Sequence, residues 1–197
     1  MFLKGRLTQE AMPIEEYLVR YAAPTLAACK VANLISLPTG ISQPMDLSHC
    51  QSCLAFSGIE IQQLRERKGR RLIYIYRRSA LDKLLQDREI QEFLSGFGYV
   101  DFSCEGAIRE LTKRLSEDST LPASFPHEIG IFLGYPLADV RAFITHQGKD
   151  ARLTGEWKVY NNEEDAQRTF SLYADCRNKL TSLFNQGLSL SELSVCG

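Results

Sequence analysis

The sequence predicts an α+β fold, a single domain in which helices pack against a mixed sheet of four to five strands. The apolar run from Leu72 to Tyr76 is typical of a central strand that is covered on both faces. Residues 163–187 place apolar side chains at helical spacing, which predicts a long helix. Residues 127–133 alternate apolar and other side chains, which predicts a further strand.

The length and composition are those of one globular domain. The chain has 197 residues, of which 44% are hydrophobic and 24% are charged, so one core of ordinary size can form. We therefore expect a single domain over residues 1–197. Residues 1–12 are predicted to be a loose N-terminal lead-in and residues 188–197 a C-terminal tail.

The charge and hydropathy patterns exclude several classes of protein. A formal net charge of -1 and a pI near 6.3 argue against a dedicated nucleic-acid binder, which usually carries a basic excess. No apolar run approaches the roughly 18 residues that cross a bilayer, and residues 1–4 do not begin a signal peptide. We expect a cytoplasmic protein with no nucleic-acid partner and no membrane partner.

The N-terminal half predicts a helix, a strand, an irregular loop and a hairpin. Pro13 suits the first turn of a helix whose apolar face continues to Tyr21, and Pro24 should kink that helix or start a new one. Residues 33–37 should be extended. Residues 38–58 are rich in loop-forming residues and predict an irregular loop. Residues 58–64 and 71–77 predict a hairpin closed by a turn at Lys68 and Gly69.

The C-terminal half predicts two helices, a crossover unit and the long last helix. The two helices span residues 79–95 and 103–115. The crossover unit joins a strand at 127–133 to a strand at 156–160 through a helix at 137–144, and its connection is long enough for parallel pairing. Asn161 or Asn162 should cap the last helix.

Three phrases resemble a known family. They are APTLAACKVANLISL from residue 23, RRLIYIYRRSAL from residue 70, and PHEIGIFLGYPLADV from residue 126, followed by GEWKVY. Together they are similar to a bacterial family, found mostly in anaerobes, known as domain of unknown function 3793. The family often has a cysteine before the Ala-Pro-Thr-Leu phrase, where this chain has Ala22. The resemblance implies family membership and no particular activity or cofactor.

Six cysteines are present, and His49, Cys50 and Cys53 form a His-Cys-x-x-Cys motif. Such a motif offers up to three ligands to zinc, or a redox pair. A structural zinc site needs four ligands, and no second Cys-x-x-Cys is present. In a chain of this size without a secretory signal, free thiols are expected instead of bridges. We predict six free cysteines and no bound metal at this motif.

Two alternatives stay open beside a small-molecule-binding function. Seven Lys or Arg residues between Arg65 and Arg78, against one acid, could make hairpin 65–78 a non-catalytic interaction module for an acidic partner. Residues 127–134 also resemble the histidine strand of NlpC/P60 cysteine hydrolases. Those enzymes need a thiol at a helix N-terminus, and Ala22 does not supply one. Such a chain would be a degenerate relative.

The leading interpretation is a small-molecule-binding protein with a pocket near the ends of strands 71–77, 127–133 and 156–160. Polar residues on otherwise apolar segments are expected to have a partner or a ligand, since burying a charge is costly. Whether the protein is an enzyme stays open. The candidate ligand-binding residues are Lys30, Tyr76, Arg77, His127, Glu128, Lys158 and Tyr160.

Overall fold

The computed structural model describes residues 12–39, 44–116 and 125–195, and within them the fold is α+β. The predicted lead-in and most of the linker before Phe125 fall outside the described residues. In chain order the elements are α1 (Ile14–Leu26), β1 (Ala32–Pro38), α2 (Pro44–Ala55), β2 (Ile59–Arg67), β3 (Arg70–Arg77), α3 (Arg78–Leu85), α4 (Arg88–Ser95), α5 (Cys104–Ser116), α6 (Ile129–Phe132), α7 (Leu137–Thr145), β4 (Leu153–Thr154), β5 (Lys158–Val159), α8 (Glu163–Asn185) and α9 (Leu190–Val195).

The sheet differs from the predicted mixed sheet of four to five strands. The described strands form a three-stranded antiparallel sheet in the order β1-β3-β2 and a separate two-stranded sheet of β4 and β5. The parallel crossover was wrong, because residues 127–133 form no strand. The predicted hairpin and the strand at 33–37 are confirmed. The hairpin turn has left-handed backbone at Lys68 and Gly69, as a tight two-residue hairpin requires.

Strand β3 divides the molecule into two hydrophobic cores. Tyr74 and Tyr76 lie in the core formed with α3 to α7, whereas Ile73 and Ile75 lie in the core formed with α1, α2, α8 and α9. This alternation is what a strand covered on both faces requires, so the prediction for residues 72–76 is confirmed. Helices therefore cover both faces of the three-stranded sheet.

Residues 129–132 form the short helix α6, and the predicted strand here was wrong. Its four residues are all buried, so the apolar side chains do not mark one helical face. In the sequence, the spacing of Ile129, Ile131 and Leu133 therefore resembles the alternation of a strand. Gly134, at φ +75°, ends the helix. Its N–H donates to the Ile131 carbonyl, and the Tyr135 N–H donates to the Gly130 carbonyl. This pattern is the Schellman motif that terminates a helix.

Three other segments differ from their predictions. The predicted irregular loop over residues 38–58 was wrong over residues 44–55, which form α2, whereas residues 56–58 form a turn. The predicted helix over residues 79–95 is divided in two, since Asp87 caps α4 by accepting from the N–H groups of Glu89 and Ile90. The segment predicted as a C-terminal tail contains α9, where Leu190 and Leu193 are buried.

The Arg77 side chain joins three segments of the second core. Its guanidinium donates to the carbonyls of Thr25 and Leu26 at the C-terminal end of α1, and also to the carbonyls of Ser57 and Ser194. The last carbonyls of a helix lack partners within the helix, and a cation there is favoured by the helix dipole. Arg77 is therefore a structural cap.

Replacing Arg77 by Met should lower the free energy of unfolding by about 2–4 kcal/mol, because several buried carbonyls lose a charged donor. Urea denaturation followed by circular dichroism measures the change. Arg88→Met is the matched control, since the Arg88 side chain is 92% exposed and pairs with Glu92 one turn away, and it should cost less than about 0.5 kcal/mol. Equal stability of the two variants would contradict the capping role.

Candidate functional site

A cavity of about 300 Å³ lies between α6, α7 and the β4–β5 hairpin. Most of its wall is aromatic or aliphatic, which is typical of small-molecule pockets. The lining residues are Phe125, His127, Ile129, Gly130, Leu133, Tyr135, Asp139, Val140, Phe143, Thr154, Gly155, Trp157 and Lys158.

Helix α6 forms one wall of the cavity and is fixed to the three-stranded sheet. The buried hydroxyl of Tyr74 on β3 donates to the Phe132 carbonyl at 2.7 Å. Within α6, Gly130 allows α7 to approach closely, because a Cβ atom on it would lie only 2.8 Å from a Val140 methyl group. Gly130 is therefore explained by the close packing of these two helices.

Asp139 fixes the β4–β5 hairpin against α7. Its buried carboxylate accepts from the Trp157 indole N–H at 2.8 Å, from the backbone N–H groups of Tyr160 and Asn161, and from the Asn161 side-chain amide. These four donors satisfy most of the capacity of a carboxylate. Asp139 is thus a positioning residue that lines the cavity with its carboxylate oxygens already engaged by hydrogen bonds.

Sequence reasoning missed Asp139. Its position in the first turn of α7 reads as an acid placed for the helix dipole. Its partners lie about twenty residues further along the chain, so only the folded chain reveals them. One sequence feature could have indicated Asp139: it is an acidic residue between the apolar residues Leu137 and Val140.

Three aromatic rings form the wall beneath the hairpin. Trp157 stacks on Tyr135 with ring centres 5.2 Å apart and meets Phe170 of α8 edge-on at 4.6 Å. The Tyr135 hydroxyl donates to the Glu156 carbonyl at 3.0 Å. Gly155 makes room for this arrangement, because a Cβ atom there would overlap the Phe170 ring. The wall is consequently rigid and preformed.

His127 and Lys158 are two side chains of the cavity lining whose nitrogen atoms can donate hydrogen bonds. The His127 ring packs between Phe125 and Phe143, 5.7 and 5.0 Å from their centres, and it makes no hydrogen bond to any described residue. The Lys158 ammonium donates to the Gly148 carbonyl at 2.5 Å and lies 6.0 Å from the Phe143 ring. No carboxylate of the described residues pairs with Lys158. Both side chains therefore retain donor capacity.

Lys30 lies behind the Tyr135 wall. Its ammonium is 5.2 Å from the centre of the Tyr135 ring and 5.3 Å from that of Tyr173 on α8, distances typical of cation–π contacts. Burial lowers the pKa of Lys30 to about 8, while Glu156 acts to raise it and Arg177 to lower it. Lys30 contacts a residue that lines the cavity without itself lining it.

The remaining four candidates lie around the cavity or away from it. Tyr160 stacks on His146 beside the hairpin, and its buried hydroxyl has no partner among the described residues. Burial, followed by Asp150 and Asp139, raises the pKa of Tyr160. Tyr76 donates to Glu60, its cross-strand neighbour on β2, and Arg77 caps α1. The cavity therefore gathers two of the seven candidates, His127 and Lys158, with Lys30 and Tyr160 next to its walls.

Glu128 is fully buried in the first core, where it holds a structural ion pair. Arg114 donates to its carboxylate at 2.5 Å, and the Tyr99 hydroxyl donates to it at 3.3 Å. The Arg114 guanidinium also donates to the Phe97 carbonyl. Burial opposes the charge of Arg114, but the hydrogen bond to Glu128 leaves the pKa of this guanidinium raised. Glu128 thus secures the turn before α6.

Three arginines of the basic hairpin donate to neighbouring residues of the chain. Arg65 donates to the Leu115 carbonyl, and Arg70 donates to both the hydroxyl and the carbonyl of Ser36. Arg78 forms ion pairs with Glu60 and Glu105. These contacts engage donors that an acidic partner would need, so they argue against hairpin 65–78 as a docking surface.

The His49-Cys-x-x-Cys motif lies on α2 with its members on different faces. Cys50 is buried in the second core, whereas the Cys53 sulfur lies 3.6 Å from the His49 ring on the exposed side. Across residues 12–39, 44–116 and 125–195, no group of three or more His, Cys, Asp or Glu side chains is arranged to hold a metal ion. The five described cysteines are free thiols, and Cys196 lies outside the described residues.

The cysteine-hydrolase alternative needs a histidine that opens a strand. His127 instead lies in the turn before α6, and Ala22 is buried inside α1. The resemblance to NlpC/P60 enzymes therefore does not extend to their local structure.

Fold and cavity together define an α+β domain with an aromatic-walled cavity. Residues 18–194 match the family described as Protein of unknown function (DUF3793). The chain belongs to this family, as its sequence phrases had suggested. Comparison with curated proteins and with solved structures gives no match. No helix in the described part of the chain is long and apolar enough to cross a membrane.

Replacing Asp139 by Ala should lower the free energy of unfolding by about 3–5 kcal/mol, because four donors lose one buried acceptor. Asp139→Asn keeps one acceptor oxygen and should cost less. Urea denaturation followed through the fluorescence of Trp157, the single tryptophan, reports both stability and hairpin position. Asp175→Ala, at an exposed site on α8, is the control and should change stability by less than about 0.5 kcal/mol.

Lys30 should make stability rise with pH. The unfolded chain holds the Lys30 proton up to the usual pKa of 10.5, whereas the folded chain releases it near 8. Between these values the unfolded chain binds more protons, so raising the pH favours folding. Relative to Lys30→Met, the wild-type protein should gain about 2 kcal/mol between roughly pH 7 and roughly pH 9.5. Urea denaturation across this range tests it, and parallel profiles for the two proteins would contradict it.

Proposed function

We propose that this protein binds a small, flat, largely apolar molecule that carries one anionic group. The observation that supports this function is an aromatic-walled cavity whose lining includes the nitrogen donors of Lys158 and His127. The alternatives considered from the sequence lack a comparable arrangement among the described residues. We further propose a cytoplasmic location, which the free state of the five described cysteines supports.

The wall chemistry favours a planar apolar body. Phe125, Tyr135, Phe143 and Trp157 present aromatic rings to the cavity, and such rings stack favourably on flat ligands. The volume of about 300 Å³ lies at the lower end of the roughly 300–1,000 Å³ typical of small-molecule pockets. The ligand is therefore small, of the size of one or two fused rings.

The charge at the cavity favours an anion. Asp139 is the carboxylate in the lining, and its oxygens already accept four hydrogen bonds. Lys158 has an ammonium with further donors, and His127 has a ring without a hydrogen bond to any described residue. A carboxylate or similar group on the ligand would accept charge-assisted hydrogen bonds from Lys158 and His127. Binding, with no catalytic group assigned, is the function these contacts support.

Paired probes of the same shape test this proposal. Isothermal titration calorimetry with 2-naphthoate and 2-naphthamide should give tighter binding for the anion. Lys158→Met should weaken naphthoate binding by about 10-fold to 100-fold and change naphthamide binding little, because one charge-assisted hydrogen bond is lost. His127→Ala should also weaken naphthoate binding while leaving the melting temperature within a few degrees.

Two further variants complete the test. Lys149→Met removes the same charge at an exposed site beside Gly148 and should leave naphthoate affinity unchanged. Thr154→Trp places a bulky ring at the cavity lining and should abolish binding of both probes. Equal affinity for the two probes, or an unchanged affinity in Lys158→Met, would refute the anionic ligand; binding that survives Thr154→Trp would refute the cavity.

A further inference from the structure

Two free cysteines that are distant in sequence meet behind the cavity wall. The sulfur atoms of Cys29 and Cys176 are 3.1 Å apart, although the residues are separated by 147 positions. Cys176 is buried, whereas Cys29 is only partly buried. A disulfide bond brings sulfur atoms to about 2.0 Å, so a shift of roughly 1 Å separates this contact from a covalent bond.

The backbone around Cys29 allows such a shift. Helix α1 ends at Leu26, and the chain turns at Ala28, which has a left-handed φ of +58°. Cys29 is the next residue and follows the last helical turn of α1. Cys176 lies in the interior of α8, which packs along α1. One sulfur thus sits on a turn and the other on a rigid helix.

The surroundings distinguish the two thiols. Burial, followed by the hydrogen bond to the Cys29 sulfur, raises the pKa of Cys176 to about 11. Cys176 is therefore a protonated thiol at neutral pH, and its S–H donates to Cys29. Burial lowers the pKa of the Arg77 guanidinium, and the nearby Cys29 sulfur acts to raise it.

We propose that Cys29 and Cys176 form a redox-active dithiol site that a hydroperoxide converts into a disulfide. Cys29 is the residue that meets the oxidant, because it is the more exposed of the two. Cys176 is the resolving thiol, because its sulfur is already in contact with Cys29.

The two steps balance in atoms and electrons. The Cys29 sulfur attacks one peroxide oxygen, so an S–O bond forms, the O–O bond breaks, and the released alkoxide or hydroxide takes the Cys29 proton. The Cys176 sulfur then attacks the sulfenic sulfur of Cys29, an S–S bond forms, and hydroxide leaves as water with the Cys176 proton. Two thiols and one hydroperoxide become one disulfide, one alcohol or water, and one further water.

The bond would join the end of α1 to the middle of α8. Lys30, next to Cys29, contacts Tyr173, which lies one helical turn before Cys176. The site is separate from the cavity and does not depend on the ligand proposed for it. Cross-linking residues so far apart in the chain restricts the unfolded state and should stabilise the fold.

Treating the reduced full-length protein with hydrogen peroxide tests the site. Intact mass should fall by two hydrogen atoms, and peptide mapping should recover a Cys29–Cys176 linked pair. The oxidised chain should migrate faster on a non-reducing denaturing gel, since the bridge closes a long loop. Its melting temperature should rise by roughly 5 °C or more, reversibly with dithiothreitol.

Matched serine variants complete the experiment. Cys29→Ser and Cys176→Ser should each lose the mobility change and the thermal shift, whereas Cys53→Ser should keep both. The peptide map of the wild-type protein tests for the Cys29–Cys176 bridge even if a serine variant fails to fold. A bridge that involves Cys196, sulfinic or sulfonic acid at Cys29 without a bridge, or no change in mass would each overturn the proposal.

Discussion

The fold depends on the burial of β3 on both faces. A strand without a solvent-facing side must satisfy every polar group within the protein, and the contacts of its side chains follow from this. On one face the Tyr74 hydroxyl finds its acceptor in the Phe132 carbonyl and so fixes α6. At the end of the strand, Arg77 caps α1. The two cores are joined through this strand.

The cavity is the last element in a chain of such constraints. Tyr74 fixes α6, Gly130 lets α7 approach α6, and Asp139 on α7 holds the β4–β5 hairpin through Trp157 and the backbone beyond it. The first and last of these steps use buried polar groups with satisfied partners, and such networks rigidify a site. The cavity walls are therefore preformed, which lowers the entropic cost of binding a flat ligand.

Several polar residues on apolar segments turned out to be structural. Glu128 pairs with Arg114, Arg77 caps a helix, and Tyr76 bonds to Glu60. The physical argument that a buried charge needs a partner was correct for these residues, but the partner is another protein group. His127 and Lys158 differ because their described surroundings leave donor capacity unused. This difference separates a candidate site from an internal network.

The sequence by itself determined the α+β class, the hairpin and its turn, the two-sided burial of residues 72–76, the long helix α8 and the family. These depend on local periodicity and on turn chemistry, which neighbouring residues encode. Only the tertiary structure decided that residues 129–132 are helical, because a single fully buried turn shows no period. It also decided the role of Asp139 and the meeting of Cys29 with Cys176, since their partners are distant in sequence and contacts between distant residues arise only from packing.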